Sequence, residues 1–224
     1  MAQKASPYAI RLGYNQIWNN YFFPENKQDQ LNWLERDKLI RDYLQQVFPD
    51  TTQLRIEYNK NNIFIYLYIP EINLVLGENN EKIEKVMKNI YSRINDVKIS
   101  VKINLIEVKN IYGHAQSIAN LISGQLKKRL SYRLIIRDIL SKLSLDREAK
   151  GIKIELSGRL DGKEIAETKK FVQGKMPLST IDSNVEIGFS EVVTTYGTIG
   201  IKTILYKGKI WQTNKNYANT TKKN

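Results

Sequence analysis

The sequence predicts an α+β protein of two consecutive units, and three observations carry that reading. The spacing of apolar residues switches repeatedly between a helical and an alternating period along the chain. A length of 224 residues with 42% hydrophobic content is enough for two separate cores. The positive charge is uneven: residues 1–50 sum to 0 and residues 51–110 to +2, whereas residues 111–150 and 151–224 carry +5 each.

The elements follow in order. Residues 1–24 hold Pro7, Gly13 and Pro24 among aromatic residues and read as an irregular arm. From Gln30 to about Phe48, Leu31, Leu34, Leu39, Ile40, Leu44 and Val47 recur near helical spacing, and Pro49 stops the helix. Two strands come next, "TQLRIEYN" and, past the turn "KNN", "IFIYLYI" closed by Pro70. The apolar run "NLVL" ends at Gly77, and a polar loop leads into an amphipathic helix from about Glu81 to Ile94. "VKISVKINLIEVK" then alternates as a strand. From Gly113 to Leu145 the spacing is helical, as two helices or as one that bends near Ser131.

Strand signals dominate from Gly151 to Lys209: "GIKIELSGRL", "KKFVQGKMPL", "NVEIGFSEVVTTYG" and "GIKTILYKG", with a hairpin turn at Tyr196 and Gly197. The predicted organisation is an arm over 1–29, an α+β domain over 30–110, a two-helix plus antiparallel-sheet domain over 111–210, and a flexible tail over 211–224.

The formal charge of +12, from 35 Lys and Arg against 23 Asp and Glu, repels itself in a compact fold and fits RNA or DNA, an anionic membrane surface or an acidic protein as partner. No cysteine is present, which excludes disulfides, zinc ribbons and thiol nucleophiles, and a single histidine excludes a His-rich metal site. No window reaches eighteen apolar residues, so no membrane span is expected, and the first residues lack the pattern of a secretory or transit signal. No Walker loop, dinucleotide fingerprint or metal spacing occurs, and no cofactor is expected.

Candidate RNA-binding residues follow from charge. Arg129, Arg133 and Arg137 lie four apart and form a helical stripe that Lys127 and Lys128 extend, with only Asp138 interrupting it. Leu126, Leu130, Ile136, Ile139 and Leu140 are the expected core side. Such a stripe is either a solvated helix face or a phosphate-binding one, in which each cation releases a condensed counterion. Lys4, Arg11, Lys150, Arg159 and Lys175 complete the candidate set.

The loop Gly77, Glu78, Asn79, Asn80 stands where an RNA-binding KH module has its Gly-x-x-Gly turn. Asn80 tolerates the left-handed region, but Glu78 and Glu81 oppose phosphate. The loop therefore reads either as a helix start with acids at the positive end of the dipole or as a phosphate clamp. His114 reads as a helix-start residue, against a hydrolase reading that pairs it with Glu107, and the protein is expected not to be an enzyme. Glu155, Glu164 and Glu167 read as exposed positions; Trp18, Trp33 and Trp211 read as packing residues.

Four segments in register resemble one family. "MAQKASPYAIRLG", "GIKIELSGRLDGKEIAET", "GKMPLST" and "TTYGTIGIKTILYKG" are similar, in this order, to motifs of bacterial-type small ribosomal subunit protein three. The resemblance implies an N-terminal type II KH domain and a C-terminal α+β domain in the small-subunit head. It implies ribosomal RNA as partner, ribosomal proteins four, five, ten and fourteen as neighbours, and basic helix residues lining the channel through which messenger RNA enters.

The family pattern is matched at Arg133 and Arg137, whereas Leu134 stands where members commonly carry Arg. The loop departs from the common Gly-Lys-Lys-Gly, residues 181–189 lack the Arg-Ala-Asp-Ile-Asp pattern, and Val193 replaces a common His. With abundant Asn, Lys and Ile, these departures imply a divergent lineage, in an organelle (mitochondrion or plastid) or an AT-rich bacterium. The alternative function is a free-standing KH-type RNA chaperone or regulator.

Overall fold

In the computed structural model, residues 5–24, 26–59, 62–76, 81–94, 99–145 and 148–210 are described. Lys4, the loop Gly77, Glu78, Asn79 and Asn80, Trp211 and the rest of the predicted tail lie outside them. The chain divides into two compact units, one from Trp18 to Lys109 and one that joins residues up to Ile17 to those from Asn110 onward.

The first unit is built on a four-stranded sheet in the order β1 (Asn20–Tyr21), β2 (Gln53–Asn59), β3 (Asn62–Ile69), β4 (Ser100–Glu107). β2 and β3 are antiparallel, and β3 and β4 are parallel neighbours. The connection between β3 and β4 carries α2 (Ile72–Leu76) and α3 (Glu81–Ile94), the kind of crossover that a parallel pair requires. Ile63, Ile65, Leu67 and Ile69 alternate along β3 and are at most 3% exposed; they form the core with Ile40 and Leu44 of α1 (Lys27–Val47) and with Val86 and Ile90 of α3.

Three expectations are corrected here. α1 begins at Lys27 rather than Gln30. Leu31, Leu34, Leu39 and Val47 are exposed, because the buried side of α1 is set by Ile40, Tyr43 and Leu44, with Trp33 partly buried beside them. The apolar run "NLVL", given no element of its own from the sequence, lies in the short helix α2.

The second unit pairs α4 (Ala115–Lys127) and α5 (Tyr132–Leu145) with an antiparallel sheet in the order β6 (Glu167–Gly174), β5 (Gly151–Gly158), β8 (Gly197–Lys209), β7 (Ser183–Thr194). The helices and one sheet face enclose Ile118, Ile122, Ile136, Ile139, Ile154, Leu156 and Ile201. Gly188 of β7 lies under the start of α4, where a Cβ would drive into the Ala115 carbonyl, so glycine alone permits this approach. The Thr203 hydroxyl donates to the same carbonyl at 2.6 Å.

Candidate nucleic-acid interface

The basic stretch from Lys127 to Arg137 is not one continuous stripe. α4 ends at Lys127, and Arg129 adopts a left-handed conformation, φ 59°, that terminates it. Its amide donates to the Leu126 carbonyl at 2.9 Å, and the Leu130 amide reaches back to Gln125 at 3.4 Å, a wrapped helix end usually reserved for glycine. Arg129 is therefore displaced from the face of α5 that carries Arg133 and Arg137. Lys127, Lys128 and Arg129 form a separate exposed basic turn. Leu130, expected in the core, is 50% exposed in the same turn for the same reason.

α5 turns Tyr132, Ile135, Ile136, Ile139 and Leu143 inward, a spacing of three and four that leaves Arg133 and Arg137 together on the solvent side. Arg133 Nε donates to the Tyr132 hydroxyl at 3.2 Å, and its guanidinium lies 5.7 Å from the Tyr132 ring centre. That hydrogen bond, with the nearby Asp161 and Glu167 carboxylates, raises its pKa above the ordinary arginine value. Asp138, the acid in the stripe, is held 2.7 Å from Lys142 one turn on, so it is occupied within its own helix.

Arg11, expected at the RNA surface, is fully buried. Its guanidinium donates to the carbonyls of Pro7 at 2.6 Å, Thr180 at 2.6 Å, Ser183 at 2.8 Å and Leu178 at 2.9 Å. Desolvation lowers its pKa from the ordinary value. The residue clips the arm onto the start of β7, and Asn15 and Gln16 add side-chain hydrogen bonds to the carbonyls of Ile181 and Val185.

Arg159 is also occupied by the fold: Nε donates to the Lys163 carbonyl at 2.8 Å and an Nη to the Tyr196 carbonyl at 3.2 Å. The segment "SGRLDG" thereby ties the β5–β6 connection to the β7–β8 hairpin, with Leu160 fully buried between them and Gly162 under the Tyr196 ring. Lys150 and Lys175 are exposed and adjacent, the Lys175 amide donating to the Lys150 carbonyl at 3.3 Å.

Two cations that the charge reading passed over stand on the outer face of this sheet. Lys170 and Lys202 flank Glu155 in one cross-strand row, and both are exposed. The alternation in "GIKTILYKG" places Lys202 on the polar face and is the signal that could have found it. Glu155 pairs with Lys153 at 2.6 Å, and Glu167 with Lys163 at 2.7 Å, as surface ion pairs.

His114 precedes the first residue of α4, as expected of a helix-start residue. The carboxylate beside it is Glu186, with Nδ1 3.4 Å from Oε2, and Glu186 also meets Lys207 at 2.5 Å. Burial pushes the Glu186 pKa up, but the bonds from His114 and Lys207 outweigh it and hold the carboxyl below its ordinary range. Among the described residues no group of three or more His, Asp or Glu is placed to hold a metal, and no helix is long and apolar enough to cross a membrane.

A family model described as "Ribosomal protein S3, C-terminal domain" matches residues 122–205. Small ribosomal subunit protein uS3 of Spiroplasma citri is 35% identical over 212 residues, 94% of this chain and 83% of that protein. The uS3 of an Exiguobacterium strain is 34% identical over 220 residues, 97% of this chain and 98% of that protein, and uS3 of Helicobacter acinonychis is 33% identical over 214 residues, 95% of this chain and 89% of that protein.

Proposed function

Because the chain belongs to the family of small ribosomal subunit protein uS3, we propose that it acts as a non-enzymatic structural component of the small ribosomal subunit, bound to ribosomal RNA and to other ribosomal proteins. The observation that carries this reading is similarity over nearly the whole chain rather than over one module. The reading is an RNA-holding one, in which affinity comes mainly from phosphate neutralisation by Lys and Arg.

The finer assignment is also ours. The first unit acts as a type II KH domain: two helices bridge the adjacent parallel strands β3 and β4. The chain sits in the subunit head among ribosomal proteins four, five, ten and fourteen. Its ribosome is that of an organelle or an AT-rich bacterium, a reading supported by the Asn-, Lys- and Ile-rich composition. Arg133 and Arg137 face messenger RNA as it enters. Lys127, Lys128, Arg129, Lys150 and Lys175 hold ribosomal RNA, as does Lys4 of the arm; Arg159 contributes only the edge its carbonyl partners leave free. What supports Arg133 and Arg137 in this role is their shared exposed side on α5 beside an acid already paired to Lys142.

The test is the double variant Arg133→Ala, Arg137→Ala in reconstituted translation. Slower passage through structured than through unstructured messenger is expected; equal slowing on both defeats the channel role. Sedimentation of extract checks the broader assignment, since co-migration with small subunits is expected. A slow, ribosome-free pool would instead favour a free-standing RNA chaperone.

A further inference from the structure

Arg133 is held in a way that Arg137 is not. Neighbouring residues on a helix point about 100° apart, so a contact between adjacent positions is not imposed by the backbone. Arg133 nevertheless turns back to Tyr132, the first residue of α5, whose hydroxyl accepts from Nε at 3.2 Å. With the guanidinium carbon 5.7 Å from the ring centre, the cation sits at the hydroxyl end of the ring, near the outer limit of a cation–π contact. The hydroxyl is a fixed point: Tyr132 is 3% exposed, belongs to the core of the second unit and meets the Phe171 ring with centres 6.3 Å apart. Arg137, exposed one turn further on, makes no hydrogen bond or ion pair among the described residues.

The surroundings leave the guanidinium able to take an anion. Asp161 and Glu167 lie near enough to favour its charge, but Glu167 already meets Lys163 at 2.7 Å and Lys169 at 3.3 Å. Arg133, Lys163 and Lys169 against the two acids leave this corner of the unit positive. With Nε engaged, the N–H groups on the two terminal nitrogens remain, a planar fork that matches two phosphate oxygens.

We propose that Tyr132 is a positioning residue: its hydroxyl aims the Arg133 fork at a phosphate of the messenger strand, while Arg137 acts as a mobile point charge. The proposal rests on the reading that places Arg133 at the messenger, and adds a division of labour between the two arginines. A guanidinium fixed before contact loses less side-chain freedom on binding and grips in one direction. An untethered one attracts whichever phosphate passes without fixing its direction. Together the two modes suit a strand that is held in register and still moves.

Nitrogen-15 spectra of the full chain read the tether without RNA. Tyr132→Phe keeps the ring against Phe171 and removes only the hydroxyl. The Arg133 Nε proton is then expected to exchange with water about two- to tenfold faster, the contribution of one hydrogen bond. An unchanged rate overturns the proposal. The consequence is read in reconstituted small subunits, as passage through structured messenger. Tyr132→Phe is expected to reproduce part of the slowing caused by Arg133→Ala and to add nothing to that variant. Arg133→Lys is expected to slow passage, whereas Arg137→Lys passes like the unaltered chain. A Tyr132→Phe effect of equal size with and without Arg133, or none with it, overturns the proposal, because the hydroxyl then acts through packing or not at all. Arg137→Lys slowing passage as much as Arg133→Lys also overturns it. If Arg133→Ala, Arg137→Ala slows structured and unstructured messenger alike, the channel reading fails, while the coupling of Tyr132 to Arg133 in the same cycle still decides this one, so the two failures are told apart.

Discussion

Replacing Arg11 by Ala tests the most consequential placement in the second unit. The guanidinium is fully buried and donates at 2.6–2.9 Å to four carbonyls, those of Pro7, Thr180, Leu178 and Ser183. Hydrogen bonds to a charged group contribute about 1.5–3 kcal/mol each, and they are not additive when one group makes all four. The bonds to Leu178 and Thr180 are only part-buried, which lowers the cost, whereas those to Pro7 and Ser183 are buried. A loss of about 3–5 kcal/mol follows, the range for removing one partner of a buried charge network. That is a large share of the about 5–15 kcal/mol that stabilises an ordinary domain.

Amide hydrogen exchange on the full chain measures the loss region by region. Protection is expected to fall in β7 and β8 and around residues 175–183, while β2, β3 and β4 of the other unit keep theirs. Arg11→Lys is expected to recover only part of the loss, because an ammonium cannot match the fan of carbonyls that a guanidinium serves. A destabilisation below about 1 kcal/mol, or an equal loss in both units, would refute the reasoning. So would a fall in the salt slope of RNA binding for folded Arg11→Ala, since a lost phosphate contact would place Arg11 on the surface after all.

Two further outcomes are expected. Arg129→Gly removes a side chain from a left-handed residue, and the second unit should gain about 1 kcal/mol in urea denaturation while RNA affinity falls through the lost cation. Glu186→Gln tests linkage: a carboxyl whose folded pKa is depressed contributes stability above its unfolded pKa and loses it as pH falls through the folded value. The stability gap between the unaltered chain and Glu186→Gln should therefore be full at pH 7 and close as the solution is acidified below the ordinary carboxylate range; a gap that persists at pH 2 contradicts the His114 and Lys207 pairing.

The order of helices and strands was legible because periodicity is local: alternation in "IFIYLYI" and three-four spacing from Tyr132 onward report which side of an element is apolar. Exposure was less legible. Leu31 and Leu34 fit a helical pattern yet face solvent, since spacing shows that a helix is amphipathic and not which side meets the sheet. Arg129, Arg133 and Arg137 share a stripe only if the helix is continuous, and the chain ends it with a left-handed arginine where sequence signals anticipate glycine.

The sequence by itself determined the element types, the uneven charge and the family motifs, because each resides in a window of a few to a few dozen residues. Only the tertiary structure decided the fate of the arm. Arg11 looks like a surface cation beside flexible residues, and its carbonyl partner Ser183 lies 172 residues away. Local spacing contains no information about a partner that distant, and a lone arginine prefers water until a preformed cluster of carbonyls replaces that water. Folding of β7 and the segment before it supplies that cluster, and with it turns an apparent RNA contact into a clasp.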